Sequence, residues 1–179
     1  MKKAEPEPSL IKFDISIEST DWTFLNWDIE KYCNKVLHTT LDTTLKDKNL
    51  PPIEIALLLT NDEKMQSLNK KFRNNDKVTN ILSFPFTENI ENLTSDLPLC
   101  DKDVFLGNIA IGYEKVMKES LYYGEIFQEY FSYILTHGIL HLLGYDHIKD
   151  VDADIMENIE KIIMKKMGYN FSMFNIHNH

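Results

Sequence analysis

The segment with the clearest chemistry is residues 137–147, where three histidines follow the spacing H-x3-H-x5-H. His137 and His141 are four residues apart, so on a helix their side chains lie on one face, about 6 Å from each other. Gly144 allows the helix to end and the chain to reverse, so that His147 can return to the same point. The spacing therefore predicts a metal site with His137, His141 and His147 as ligands. Three protein ligands leave a fourth position open, which is typical of catalytic rather than structural zinc.

The residue after the first histidine distinguishes this segment from the metal proteases that it otherwise matches. Metzincin proteases share the histidine spacing and the glycine at position 144, but they carry glutamate directly after the first histidine as the general base. Position 138 is glycine in this chain. The residue that would activate water for peptide hydrolysis is therefore missing. Three imidazoles also suit copper or nickel, so the ligand set alone does not identify the metal.

Composition favours one soluble globular domain. The chain has 179 residues, 43% of them hydrophobic, with a mean hydropathy of -0.30. Its longest aliphatic run, residues 55–59, is too short to cross a bilayer, and an acidic, proline-containing segment follows the first lysines where a signal peptide would be apolar. Cys33 and Cys100 fit a reducing compartment and predict neither a disulfide nor a thiolate metal site. We therefore expect a cytoplasmic protein without a membrane partner.

The charge distribution bears on nucleic-acid binding. A net charge of -9 argues against a broad electrostatic grip on nucleic acid. Residues 62–77 nevertheless carry a local excess of lysine and arginine, whereas residues 88–103 are acidic. This pattern is compatible with a narrow basic strip on an acidic body. A solvated helix face explains the same charges equally well.

Patterning in the first half of the chain predicts two strands and two helices. Alternation over residues 11–17 indicates a half-buried strand, and a helical stripe runs from Trp22 to Leu41 with Asp21 as its N-cap. Residues 53–59 read as a largely buried strand. A short helix follows, capped by Asn61 or Asp62, and its inward side chains are Met65, Leu68 and Phe72.

The second half predicts two more strands and three helices. After a turn at residues 74–76, residues 78–84 form a strand that Pro85 ends, residues 87–102 form an exposed acidic loop, and residues 104–111 form the fourth strand. Residues 113–143 are helical and divided at Gly124. The last helix, residues 152–167, ends at Gly168 and turns one apolar side inward, namely Ile155, Met156, Ile159, Ile162 and Ile163.

This order of elements predicts an α+β fold in a single domain spanning residues 1–179. A mixed sheet of about four strands would pack with about five helices, and the metal site would lie on a central helix. Residues 1–9 and 170–179 are expected to be loosely ordered tails.

Arg73 is the second chemical candidate, because it is the single arginine among nineteen basic residues. Arginine offers a planar, permanently charged, bidentate donor, which suits a phosphate group. The alternative is a lone arginine left on a helix surface in a chain that otherwise uses lysine. Charge and spacing do not decide between the two.

Together these segments closely resemble the YbeY family of bacterial ribosomal-RNA maturation endoribonucleases, over most of residues 54–163. The histidine segment is the most specific anchor, because H-G-x-L-H-x-x-G-Y-D-H keeps the ligand spacing and lacks the protease glutamate. The other anchors are Leu68-Asn69 through Arg73, Thr79-Asn80, Leu82-Ser83-Phe84, Leu106-Gly107 with Ile109, and Met156 with Glu160.

The resemblance implies a function and roles for particular residues. By that resemblance, His137, His141 and His147 bind one zinc ion and Arg73 serves catalysis. The chain would then be a metal-dependent endoribonuclease that cuts single-stranded RNA, matures small-subunit ribosomal RNA and takes part in ribosome quality control. Its partners would be ribosomal RNA, the small subunit and its proteins, and not DNA. Family members commonly have aspartate where this chain has Asn108, which cannot serve as a charged base.

Several assignments stay open at this stage. Asp146, next to His147, is a candidate for orienting a ligand or moving a proton, but a loop carboxylate facing water is as plausible. The general base has no firm candidate. Two rival functions are a metal-dependent peptide hydrolase and a ribosome-associated binding module with structural zinc, whose acidic surface would face basic ribosomal proteins. We expect His38, His177 and His179 not to be ligands.

Overall fold

The computed structural model describes residues 11–45, 52–86, 104–147 and 149–171. The predicted N-terminal tail, the acidic loop at 87–102 and residues 172–179 lie outside these ranges. The described strands and helices follow one another in the order β1 (Ile11–Ile17), a 3-10 turn (Thr20–Phe24), α1 (Ile29–Thr44), β2 (Ile53–Thr60), α2 (Asp62–Arg73), β3 (Ile81–Pro85), β4 (Val104–Gly112), α3 (Tyr113–Tyr123), α4 (Phe127–Leu142) and α5 (Asp150–Met167).

The four strands form one mixed sheet in the order β1-β2-β4-β3. The pairs β1-β2 and β2-β4 are parallel, and β3-β4 is antiparallel. The predicted α+β class, with a four-stranded mixed sheet and five α-helices, is thus confirmed. Asn80 and Phe86 direct their backbone hydrogen-bonding groups toward β4. The backbone groups of the odd-numbered residues of β3 therefore point away from β4. Pro85 is one of them, and at a sheet edge its missing N–H costs no hydrogen bond.

The two faces of the sheet carry cores of different size. The larger core lies beneath α1, α4 and α5 and is built around fully buried side chains, among them Trp22, Leu37, Phe131, Leu135 and Ile139. The smaller cluster lies beneath α2 and consists of Met65, Leu82 and Ala110. Neighbouring residues of β4 therefore point to different cores, and this alternation sorts the strand residues between the two sides of the sheet.

The predicted first helix is wrong at its start. Residues 20–24 form a separate 3-10 turn, and α1 begins only after Asp28, whose side chain accepts a hydrogen bond from the Lys31 amide at 3.0 Å. The reason is Trp22, which is fully buried and donates its indole N–H to the Thr60 carbonyl at 2.9 Å. Anchoring this ring in the core bends the chain before a continuous helix can form.

Two inward faces also differ from prediction. Phe72 was expected inside but is 54% exposed, and on α5 Ile155 and Ile162 face out while Glu160 is only 4% exposed. The buried face of α5 is thus rotated toward Glu160, whose carboxylate contacts His137 on α4. Phe171 falls within the predicted loosely ordered tail, residues 170–179, but it is buried against Tyr133.

The third strand starts later than predicted, at Ile81 rather than at Val78. Residues 78–80 instead belong to the connection from α2, which the Asn69 side chain holds by donating to the Lys77 carbonyl at 2.8 Å. Asn80 ends this connection by accepting a hydrogen bond from the Ile81 amide at 2.7 Å.

Helices α2 and α3 cap each other at their N-termini. The Asp62 amide donates to Glu114 Oε2 at 2.8 Å, and Asp62 Oδ1 accepts from the Lys115 amide at 2.9 Å. Each carboxylate thus satisfies an amide that its partner helix leaves unpaired. Burial raises the pKa of Asp62. The exchange fixes the start of α2 and thereby the direction in which its far end, with Arg73, points.

Within the described part of the chain, no helix combines the length and the apolar character needed to cross a membrane.

Gly107 provides a test of the sheet geometry. It has φ of +144° and follows a register shift between β2 and β4, and a Cβ at this position would lie 2.3 Å from the Phe84 carbonyl oxygen. Gly107→Ala should lower the free energy of unfolding by roughly 3 kcal/mol, measured by urea denaturation. Gly124→Ala is the control, since its φ is +69° with nothing within 4 Å, and it should cost only about 1 kcal/mol. Equal losses would contradict the clash.

Candidate metal centre

The three predicted ligands converge at the end of α4. His137 and His141 lie in its last two turns, and the helix closes with the Tyr145 amide donating to the Leu140 carbonyl at 3.0 Å. Gly144 adopts φ of +86° in that turn, as expected for a left-handed reversal. One ring nitrogen from each of the three histidines lies within 4.8 Å of the other two. These residues form the three-histidine cluster, which can hold a metal ion.

Hydrogen bonds orient two of the imidazoles. His137 Nδ1 lies 2.7 Å from Glu160 Oε1, and His141 Nδ1 lies 3.0 Å from the Tyr145 carbonyl oxygen. Both oxygens accept, so each ring carries its proton on Nδ1 and turns the lone pair of Nε2 toward the other, 3.0 Å away. Tetrahedral zinc separates its nitrogen ligands by about 3.3 Å. The donor set and the separation between His137 and His141 therefore suit a zinc ion, and Glu160 and the Tyr145 carbonyl hold the two rings in orientation.

The protonation state of His141 suits a ligand. Burial is the main cause that lowers its pKa to about 4, and the neighbouring His137 and His147 lower it further. His141 is therefore neutral near pH 7, the form in which imidazole binds a metal.

Glu160 is the site residue that the sequence analysis missed. It belongs to the segments that carry the family resemblance, but no role could be assigned to it. It occupies the buried side of α5, whose other buried side chains are apolar, namely Met156, Ile163, Met164 and Met167. A carboxylate inside an apolar helical stripe was the available signal, because buried carboxylates require a partner.

Arg73 lies in the same cleft as the three-histidine cluster. It is the last residue of α2, after which Asn74 turns into the left-handed conformation. Arg73 Nη2 donates to the Ser83 carbonyl at 3.0 Å, which anchors the guanidinium to the outer edge of β3. The cleft has a volume of about 590 Å³, and its lining is Arg73, Asn80–Ser83, Pro85, His137, His141 and Gly144–His147. Residues far apart in sequence are thus brought together around one space.

The wall of the cleft is fixed by a network centred on Glu119. Asn80 Nδ2 donates to Glu119 Oε2 at 2.8 Å, and the Tyr130 hydroxyl donates to the same oxygen at 3.1 Å. Tyr130 is buried on α4, so the network ties the start of β3 to the histidine helix. The Thr79-Asn80 motif therefore has a positioning contact that its sequence did not reveal.

Asp146 and Asn108 occupy different surroundings. Asp146 is exposed and lines the cleft, where Oδ1 accepts from the His147 amide at 2.7 Å. Its observed contact is thus with the backbone of residues 143–147, here called the ligand loop because it carries His147. Asn108 pairs with Phe84 on the α2 side of the sheet, whereas the neighbouring pair, Ser83 and Ile109, faces α4. The departure from the family pattern at Asn108 therefore lies on the face of the sheet opposite the histidines.

Gly138 has a packing reason to be glycine. A Cβ there would lie 2.5 Å from Ile81 Cδ1 and 3.1 Å from Ser83 Oγ, and Ser83 donates its hydroxyl to the Gly138 carbonyl at 3.2 Å. Helix α4 thus lies directly on β3 at the position where a protease carries glutamate. A side chain at this position would have to displace the end of the Ile81 side chain and would crowd the Ser83 hydroxyl.

The remaining histidine and cysteine predictions can be checked only in part. His38 is exposed on α1. Cys33 is free and buried, and burial raises the pKa of its thiol. Cys100, His177 and His179 lie outside the described residues.

Comparison with known proteins decides the family. The family model described as endoribonuclease YbeY matches residues 14–168. The chain belongs to the YbeY endoribonuclease family. Curated YbeY endoribonucleases include one from Fusobacterium nucleatum, 37% identical over 149 residues that cover 83% of this chain and 85% of that protein. Another, from Sinorhizobium fredii, is 32% identical over 163 residues, 88% of this chain and 89% of the relative.

A solved structure shares the fold of this chain. The solution structure of TM1509 from Thermotoga maritima matches with a TM-score of 0.55 and covers 87% of each chain, at 20% sequence identity. The YbeY assignment, predicted from the histidine segment and the stretch through Arg73, is confirmed.

Glu160 should control metal affinity. Glu160→Ala removes the acceptor that orients His137, so zinc affinity should fall by roughly 10- to 100-fold in competition with a chromophoric chelator. Glu160→Gln keeps an acceptor and should lose less. Glu157→Gln is the control, because Glu157 lies on the same helix and pairs with Lys161 instead. Wild-type affinity in Glu160→Ala would contradict this role.

The lowered pKa of His141 should appear as a pH dependence of stability. In the unfolded chain His141 binds a proton near pH 6.5, but in the folded protein only near pH 4. Protons therefore favour the unfolded state, and the metal-free protein should lose stability as pH falls from about 6.5 to 4. His141→Gln should flatten this slope in urea denaturation at several pH values. An unchanged slope would contradict the assignment.

Proposed function

We propose that the chain is a zinc-dependent endoribonuclease that cleaves single-stranded RNA, with His137, His141 and His147 as the metal ligands. One observation carries the proposal: Arg73 and the three-histidine cluster line the same cleft, in a chain of the YbeY endoribonuclease family. The cluster suits a metal with an open position and the arginine suits a phosphate. Together they favour a phosphodiester over a peptide bond as the substrate.

The two groups have complementary tasks in this mechanism. A zinc ion, when bound, supplies Lewis acidity toward water and toward a phosphoryl oxygen. Arg73 binds the phosphodiester and balances the negative charge that grows on it in the transition state. A guanidinium has five N–H donors, so the bond to the Ser83 carbonyl orients Arg73 and leaves donors for the phosphate.

Proton transfer is assigned to Asp146. Among the described residues that line the cleft, Asp146 carries the one carboxylate. Its bond to the His147 amide holds it beside the ligand loop. A carboxylate there can accept a proton from an attacking water, which is the task that glutamate performs in the proteases.

The cellular role proposed is maturation of small-subunit ribosomal RNA and quality control of ribosomes in the cytoplasm. The relatives named endoribonuclease YbeY support RNA processing. The net charge of -9 suits contact with basic ribosomal proteins, while the cations near Arg73 suit RNA.

The two rival functions make different predictions. A peptide hydrolase of the metzincin type carries its general base at position 138, which is glycine in this chain. A binding module with structural zinc would bind RNA without cutting it. Incubation of labelled single-stranded RNA and of casein, each with and without chelator, separates all three. RNA cleavage that stops with chelator supports the nuclease.

Substitutions should separate metal binding from phosphate binding. His141→Ala should lose both zinc and RNA cleavage. Arg73→Ala should keep zinc, yet cleave roughly 100- to 1,000-fold more slowly, because one charge-stabilising group is lost. The control is Lys64→Ala, which removes a cation from the other end of α2 and should leave cleavage unchanged.

Elemental analysis paired with single-turnover cleavage of a labelled RNA measures both properties. Full activity in a metal-free preparation would overturn the zinc mechanism. Unchanged cleavage by Arg73→Ala would make Arg73 a surface residue.

A further inference from the structure

We propose that Phe72, Phe84 and Phe86, here called the aromatic strip, bind the bases of unpaired RNA and thereby restrict cleavage to single strands. The inference rests on the proposed endoribonuclease function and describes how that site holds its substrate. Phe72 and Phe86 are large apolar side chains with exposed fractions of 54% and 73%. Large aromatic side chains that are exposed together mark a surface that binds a partner.

The three rings lie near one another in the sequence of two neighbouring elements, at the end of α2 and at the end of β3. The ring centroids of Phe72 and Phe84 lie 5.3 Å apart in an edge-to-face arrangement. Phe86 follows two residues after Phe84, directly beyond the end of β3 at Pro85. Phe86 is held in place, since its amide donates to the Leu106 carbonyl at 2.9 Å and its ring packs on Phe105.

The aromatic strip begins where the cleft ends. The guanidinium carbon of Arg73 lies 5.9 Å from the centre of the Phe84 ring. Arg73 and Pro85 both line the cleft, and each is adjacent in sequence to a member of the strip. Phe72 and Phe84 lie on the α2 side of the sheet. An RNA strand whose phosphate contacts Arg73 would therefore pass over the edge of β3 to place its neighbouring nucleotides on the aromatic strip.

Cations border the aromatic strip on its Arg73 side, whereas Asp14 and Glu18 line the groove beneath Phe72 and Phe84. Lys71 Nζ lies 5.0 Å from the centre of the Phe72 ring, and Arg73 follows directly. Lys77 adds a further cation nearby in sequence, and the carboxylate of Asp76 is paired with Lys70 at 2.7 Å. Surfaces that bind single strands combine such cations with aromatic rings.

The arrangement explains a preference for unpaired RNA. Both faces of a base in a duplex are covered by neighbouring base pairs, so a duplex offers no free face to a phenylalanine ring. A single strand can unstack and place its bases on the aromatic strip. Stacking of this kind tolerates any base, so it selects strandedness rather than sequence.

The test is single-turnover cleavage of a labelled RNA by the zinc-loaded enzyme, fitted for half-saturating enzyme concentration and maximal rate. Phe72→Ala and Phe86→Ala should each raise the half-saturating concentration on the order of 10-fold and leave the maximal rate nearly unchanged. Phe86→Trp should retain tight binding. Phe24→Ala is the matched control, because Phe24 is 82% exposed and follows β1 at the opposite edge of the sheet.

Two further comparisons identify stacking as the cause. An RNA with abasic nucleotides beside the cleavage site should weaken wild-type binding, but should add little to the loss in the Phe72→Ala/Phe86→Ala double variant. Phe86→Leu keeps the apolar bulk without the aromatic face and should behave like Phe86→Ala. If Phe86→Leu binds like the wild type, the ring contributes packing alone and the inference is overturned.

The outcomes separate this inference from the proposed function. Unchanged half-saturation in both alanine variants of an active enzyme would overturn the inference alone and leave the aromatic strip as a surface for a protein. Absence of RNA cleavage by the wild type would overturn the proposed function and this inference with it.

Discussion

The close contact between α4 and β3 at Gly138 determines where the cleft can form. Because position 138 has no side chain, the Ser83 hydroxyl reaches the Gly138 carbonyl and the strand lies directly against the histidine helix. The same residue, Ser83, turns its own carbonyl outward to Arg73. One strand residue thus links the helix that carries two of the histidines to the guanidinium on the other side of the cleft. A side chain at position 138 would have to displace Ile81 and would disturb this contact with Ser83.

Glu160 shows how a core can be shaped by a polar requirement. A buried carboxylate without a partner is costly, and a residue only 4% exposed has little access to water. Its bond to His137 satisfies the carboxylate, and a cation beyond the imidazole would balance its charge. This explains why α5 buries Glu160 while two of its isoleucines face outward. The orientation of α5 therefore places Glu160 against His137 and leaves part of its apolar surface exposed.

Prediction from the sequence succeeded where the determinants are local. The convergence of His137, His141 and His147 needs only one helical turn and a reversal at Gly144, so spacing was sufficient. The strands and the division at Gly124 follow from patterns a few residues long. The break before α1 was missed because it depends on Trp22 reaching Thr60, a contact between distant segments.

The same distinction applies to the site. Arg73 has no local pattern that places it beside the histidines, so only family resemblance connected them before the fold was known. Glu160 and Asn80 act through contacts with His137 and Glu119, which lie on other elements. The residue types alone do not predict these contacts. Phe72 looked like a core residue because helical periodicity records apolar character, and apolar character does not distinguish a core from an exposed binding surface.

The bond from Arg73 to Ser83 has a consequence for the behaviour of the protein in solution. β3 ends the sheet, and the outer side of an edge strand carries backbone groups that can pair with a strand of another molecule. Arg73 occupies one of these groups and places a positive charge beside it, while Pro85 removes a donor from the same side. The residue proposed to bind phosphate therefore also occupies a backbone acceptor at the edge of the sheet, and together with Pro85 it leaves fewer groups there for a strand of another molecule.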